Sequence, residues 1–129
     1  MIAYLWIAIG SALGGVARYW CQGWAARAIS DTFPWGTLIV NIVGCAFIGL
    51  FATISGPDGR LLVSTTARRF VMVGICGGYT TFSSFSLETL NLARDGQWSR
   101  AAGNVLGSVV LCMIGVWLGQ AAGTVINQR

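Results

Sequence analysis

Gly74-Ile75-Cys76-Gly77-Gly78-Tyr79-Thr80-Thr81-Phe82-Ser83-Ser84-Phe85-Ser86-Leu87-Glu88 is the stretch on which the fold turns. It lies inside a mostly apolar run from about Phe70 to Leu92, and a membrane crossing needs roughly 20 such residues. Paired glycines weaken a helix, and freed backbone groups are tolerated at membrane depth only inside protein or facing a cavity. The stretch therefore reads as a helix broken around Gly77 to Thr80, with Thr80 as N-cap of the second half. Such a break frees carbonyls for a cation and points a helix N-terminus, which favours anions, at the gap.

Three more apolar runs flank it, from about Ile2 to Trp24, Trp35 to Ile54 and Ala101 to Ile126. The connections hold most of the charge and both prolines, as polar turns do. Only 9% of the 129 residues are charged, against about 25% in a soluble domain. Mean hydropathy is +0.69. The expected fold is one all-α domain of four transmembrane helices, and its solvent is the lipid bilayer. Met1 to Ala17 lacks the basic start of a secretory leader, and an Arg follows where cleavage would fall.

All eight basic residues are Arg; His and Lys are absent, which removes His metal sites and Lys Schiff-base chemistry. The net charge of +4 is scattered and makes no stripe for nucleic acid. Cys21, Cys45, Cys76 and Cys112 fall one per helix and read as small hydrophobes. Alternate placement puts Arg60, Arg68, Arg69 and Arg129 on one side of the membrane. Arg18 (near the end of the first helix), Arg27, Arg94 and Arg100 lie on the other. Neither side has the excess that sets orientation. Charge alone leaves two readings: one orientation fixed by other signals, or dual topology with antiparallel pairing.

Gly103, Gly107, Gly115, Gly119 and Gly123 on the fourth helix, with Gly10 and Gly14 on the first, predict close helix contact. Thr37, Asn41 and Cys45 share one face of the second helix, and Asn104, Ser108 and Cys112 one face of the fourth. Each intramembrane Asn serves as interhelical glue or as part of a polar pathway. Phe82 and Phe85 share a face just after the break. They are either packing or a pair of positive ring edges offered to a dehydrated anion. No Arg or acidic residue is expected deep in the membrane, and a site without fixed charge holds an anion weakly enough to release it. Glu88 reads as a vestibule carboxylate, an Arg partner or a snorkelling interfacial group.

At these residues the chain resembles the Fluc family of fluoride channels, also called CrcB proteins. The resemblance covers nearly the whole length. It rests on Gly77 to Ser86, on Gly36-Thr-Leu-Ile-Val-Asn41, on Gly14-Gly15-Val-Ala-Arg18, and on Asn104 with Ser108. It implies an antiparallel, dual-topology homodimer in a bacterial inner or plasma membrane, with two fluoride pores and no enzymatic activity. It also implies a structural sodium ion (Na+) at the dimer interface, held by carbonyls of Gly77 and Thr80. Phe82 and Phe85 become pore aromatics, Asn41 a pore-lining donor, and Thr37, Thr81 and Ser108 a polar track. Asn104 occupies a position that the family fills variably. Cys112 stands where some relatives carry a hydroxyl, and Arg18 faces an aqueous vestibule. Fluoride that enters as HF ionises inside the cell. The membrane potential, worth about 2.3 kcal/mol per charge per 100 mV, then drives it out through a passive pore. Two rival readings are a small multidrug-resistance exporter, which needs a carboxylate that the first helix lacks, and a non-transporting assembly subunit.

Overall fold

The computed structural model describes residues 1–129 and contains helices but no strand. Helix α1 spans Ile2–Ala28 and α2 spans Trp35–Ile54. The third crossing is two helices, α3 over residues 65–79 and α4 over Phe82–Arg94. Helix α5 runs over Trp98–Gln128. Four segments are long and apolar enough to cross a membrane: Ile2–Ala28, Trp35–Ile54, Thr65–Arg94 and Trp98–Gln128. Apart from the second, they outrun the hydropathic stretches by roughly a turn at one or both ends. Backbone bonding continues through Arg27, Arg68, Arg94 and Arg100, whose charges cost little at the water interface.

Loop contacts fix the two ends of the bundle. Arg100 Nη1 donates to Thr32 O (3.4 Å), joining the α1–α2 connection to the first turn of α5 at one end. Arg60 joins the α2–α3 loop to the C-terminus at the other. Its backbone N–H donates to Asn127 Oδ1 (3.1 Å), and Nη1 to Ile126 O (3.3 Å).

Small residues set the packing, because lipid offers no hydrophobic force between helices and close backbone approach must replace it. On α1, a Cβ added at Gly10 would lie 2.7 Å from Phe70 O, and one at Gly14 would overlap Ile75 O. Helix α3 is thus sealed onto α1. Gly115, Gly119 and Gly123 of α5 meet Ile42, Ala46 and Thr53 of α2 in rising register, so these two helices run side by side in the same direction. Gly103 and Gly107 meet nothing within 4 Å. The predicted glycine row therefore divides into a packed half and an open half. Inside, Thr37, Ser55, Thr81, Asn104 and Ser108 are buried beside Leu38, Val40, Phe51 and Phe85; outside are Trp6, Trp20, Trp117 and other large apolar side chains.

The break differs in detail from the sequence expectation. Residues Phe70–Cys76 wind as a π-helix, which the sequence did not announce, and Gly77–Tyr79 return to α geometry. The Gly pair stays helical. Extended backbone occurs at Thr80 (φ −82°, ψ 157°) and Thr81 (φ −152°, ψ 115°). Thr81, not Thr80, caps the second half, its Oγ1 accepting from Ser84 N (3.2 Å). Gly78 serves packing instead: a Cβ there would sit 2.5 Å from Ser11 O.

Candidate functional site

Two extended residues at membrane depth leave backbone groups that need partners. The Asn41 amide supplies two of them. Its Nδ2 donates to Thr81 O (3.0 Å) and its Oδ1 accepts from Thr81 N (2.8 Å). On the opposite side, Arg18 Nη1 donates to Thr80 O (3.3 Å). Thr80 N–H still reaches Cys76 O (3.0 Å). With Thr81 N–H diverted to Asn41, the carbonyl of Gly77 loses its partner four residues on.

This corrects the expected place of Arg18. It lies not near the end of its helix but level with the break, ten residues before the end of α1, about 15 Å along the axis. An Arg does lie deep in the span, held by a carbonyl as intramembrane Arg generally is.

Beside the break opens an apolar groove of about 480 Å³. It brings together Asn41, Thr80, Thr81, Phe82, Phe85 and Ser108, along with Cys112. No charged side chain lines it, since Arg18 approaches from the α1 side. Phe82 is 77% exposed and Phe85 is buried; their ring centroids are 5.2 Å apart at 52°. The N-terminus of α4, with its partial positive charge, opens on the same place.

Thr37 and Glu88 lie elsewhere, in a polar cavity of about 330 Å³ that Gln22, Asp31 and Ser84 also line. Thr37 Oγ1 donates to Glu88 Oε1 (2.8 Å) and accepts from Gln22 Nε2 (3.0 Å), while Glu88 Oε2 is buried with no protein partner. Hydroxyls link the two spaces: Thr81 Oγ1 donates to Ser84 Oγ (3.1 Å). Asn104 lines neither. It is buried between α4 and α5, where Nδ2 donates to Thr89 Oγ1 (2.8 Å) and Oδ1 accepts from Ser108 Oγ (3.4 Å). Its bond to Thr89 joins α4 to α5, as the glue reading expects. Sequence reasoning missed Gln22 as part of a site, although a glutamine inside an apolar run is itself a signal.

The donor chemistry at the break suits a sodium ion, which takes backbone carbonyl oxygen in broken helices. Gly77 O fits through its lost helical partner. Thr80 O fits through the lone pair that Arg18 leaves.

Residues 5–120 match the family described as CrcB-like protein, Camphor Resistance (CrcB). A protein of Opitutus terrae named fluoride-specific ion channel FluC is 58% identical over 127 residues, covering 98% of this chain and 96% of its own. Namesakes from Paramagnetospirillum magneticum and Rhodospirillum rubrum are 56% and 57% identical, covering 99% and 98% of this chain and 100% and 98% of theirs. With a match of that extent and relatives aligned end to end, this multi-pass membrane protein belongs to the CrcB family.

Proposed function

We propose that this chain is a fluoride channel that passively exports the ion from the bacterial cytoplasm through the inner or plasma membrane. One observation carries the reading: the uncharged groove that gathers Asn41, Thr81, Phe82, Phe85 and Ser108 beside a helix N-terminus. Fluoride is small and strongly hydrated, so a path must replace its water with donors while keeping each site weak enough to leave. Hydroxyls, one amide and aromatic edges are donors of that kind. Asn41 has a second Nδ2 proton beyond the one bound to Thr81 O, and that proton is its contribution to the groove. Thr37 and Ser84 carry the path into the polar cavity, and Ser108 and Cys112 carry it the other way.

The working unit is an antiparallel, dual-topology homodimer with two such paths. In support, Phe82, Gly103 and Gly107 lie open on the single chain. With Arg18 withdrawn to the break, Arg27, Arg94 and Arg100 at one end face Arg60, Arg68, Arg69 and Arg129 at the other. Three against four still sets no orientation. Gly77 and Thr80 would hold the sodium ion between the two breaks, where it supplies a fixed structural charge. Arg18 neutralises the remaining lone pair of Thr80 and holds the break open on the α1 side.

Fluoride efflux from proteoliposomes, followed with a fluoride electrode, tests the function. Efflux is expected with the native chain, loss with Asn41→Asp, and slower efflux with Phe82→Ile. Absent efflux overturns the channel, and variants that conduct as the native chain does overturn the assignment of these residues to the pore. Drug-dependent proton flux would replace it with the exporter reading.

A further inference from the structure

The groove beside the break is also where the chain collects its sulfur. Cys45, Met72, Cys76, Cys112 and Met113 line it, five of the seven Cys and Met residues in the sequence. Cys45 stands one turn beyond Asn41 on α2, and Cys112 one turn beyond Ser108 on α5. Gly115 brings the two helices to near backbone contact at Ile42 O, 3.1 Å from the site of an added Cβ. Across that seam Cys45 and Cys112 line the same groove. Both are free and half-buried.

Thiolate and thioether sulfur select soft cations, whereas hard cations require oxygen. Charge narrows the choice further. Two thiolates around a divalent ion, or one thiolate and a neutral sulfur around a monovalent ion, form a neutral complex that an apolar groove accepts without burying net charge.

We infer that Cys45 and Cys112 form a binding site for a soft d10 cation (Ag+, Cu+ or Hg2+), with the thioether of Met72 or Met113 alongside. Each thiol that binds as thiolate releases its proton to solution: both for Hg2+, and one for Ag+, whose second sulfur ligand stays neutral. The site crosses the groove, so the bound ion also closes the fluoride path. Closure rests on the channel reading, but binding does not.

Mercuric ion is the probe. Purified full-length protein is titrated with Hg2+ in excess glutathione, which strips mercury from single thiols but competes poorly with a chelating pair. Binding is read by near-ultraviolet sulfur-to-mercury absorbance and by equilibrium dialysis. One Hg2+ per chain is expected, with two protons released. Cys45→Ala and Cys112→Ala should each weaken binding by about tenfold or more, a scale met even when a metal's outer-sphere partner is lost. Cys21→Ala should leave binding intact. Cys45→Ser and Cys112→Ser keep the side-chain volume and guard against misfolding; with native helical circular dichroism they too should lose the absorbance. Binding that survives loss of Cys45 or Cys112, or that disappears with Cys21, overturns the site. In proteoliposomes, efflux that continues at full occupancy overturns closure. If metal-free protein shows no efflux at all, the channel reading fails while the absorbance still decides the site.

Discussion

On its α1 side the third crossing presents backbone to backbone. Gly10 and Gly14 lie against residues 70–79, and Gly78 lies against Ser11, with no room for a methyl group at any of them. On its α2 side, at the same depth, the crossing presents side chains to a space: Asn41, Thr81, Phe82 and Phe85 around an apolar groove. A break in a transmembrane helix must have every freed group answered. Here the sealed face answers with a charge, Arg18 on Thr80 O, and the open face with a neutral amide, Asn41 on Thr81. The division of labour explains how a deep Arg is compatible with the weak-binding anion path proposed above. The charge is placed behind the break, and the uncharged groove opens in front of it.

Breaking the open face gives the largest effect. Asn41→Asp removes the donor to Thr81 O and sets a carboxylate oxygen against that carbonyl, with negative charge in the groove. Efflux should fall to the level of protein-free liposomes. Asn41→Ala leaves both Thr81 backbone groups unanswered, at about 1–3 kcal/mol for each buried group. It should therefore lower stability as well as flux. An Asn41→Asp channel that conducts would mean that Asn41 only staples the backbone.

The sealed face is tested by two adjacent glycines. A methyl at Gly14 overlaps Ile75 O and comes 2.8 Å from Tyr79 N, whereas a methyl at Gly15 meets nothing within 4 Å. Gly14→Ala should destabilise the fold by about 1–3 kcal/mol, the usual cost of overpacking. Gly15→Ala should stay within about 0.5 kcal/mol of the native chain. Unfolding in mixed detergent–SDS micelles, followed by tryptophan fluorescence, reads both. Equal effects at the two positions would mean that α1 and α3 are not in backbone contact.

Phe82→Ile separates packing from pathway. With Phe82 77% exposed, its ring adds little to the fold of the single chain, so unfolding of the monomer should be unchanged. If its edge serves the anion, worth about 0.5–1.5 kcal/mol for an aromatic edge contact, efflux should slow by up to about tenfold. A parallel loss of stability and flux would instead make Phe82 a packing residue.

The sequence made much of this legible, and its failures have physical causes. Composition and four apolar runs sufficed for the bundle, because lipid leaves a chain few alternatives to spanning helices. The break was visible as Gly-Gly beside hydroxyls, but its position slipped because glycine reports small size as well as helix weakness. At Gly78 size was the operative property. Arg18 was misplaced because its partner is a backbone carbonyl, which leaves no trace in side-chain identity. Asn104 and Asn41 look alike in sequence, each one turn before another small polar residue. Only the neighbour decides between them: Thr89 makes Asn104 a joint between helices, while the Thr81 backbone brings Asn41 to the groove. The π-helix over Phe70–Cys76 had no sequence signal that we can name.

The smallest effect on the single chain, and the one that most sharpens the contrast between sealed and open faces, belongs to the outer glycine row of α5. Gly119 would drive an added Cβ into Ala46 O, but Gly107 meets nothing. The same residue type at the same spacing is therefore sealed in one half of the helix and open in the other. Small residues are selected where backbones must come close, and inside one chain nothing comes close to Gly107. If a second copy supplies the missing contact, Gly107→Leu should leave unfolding of the single chain within about 0.5 kcal/mol, as a surface change does. It should nevertheless lower the fraction of dimer recovered by cross-linking in liposomes, and more so as the protein is diluted in lipid. Unchanged dimer at every dilution would assign the open row to lipid and move the subunit contact to another face, with Phe82 and the groove the next place to look.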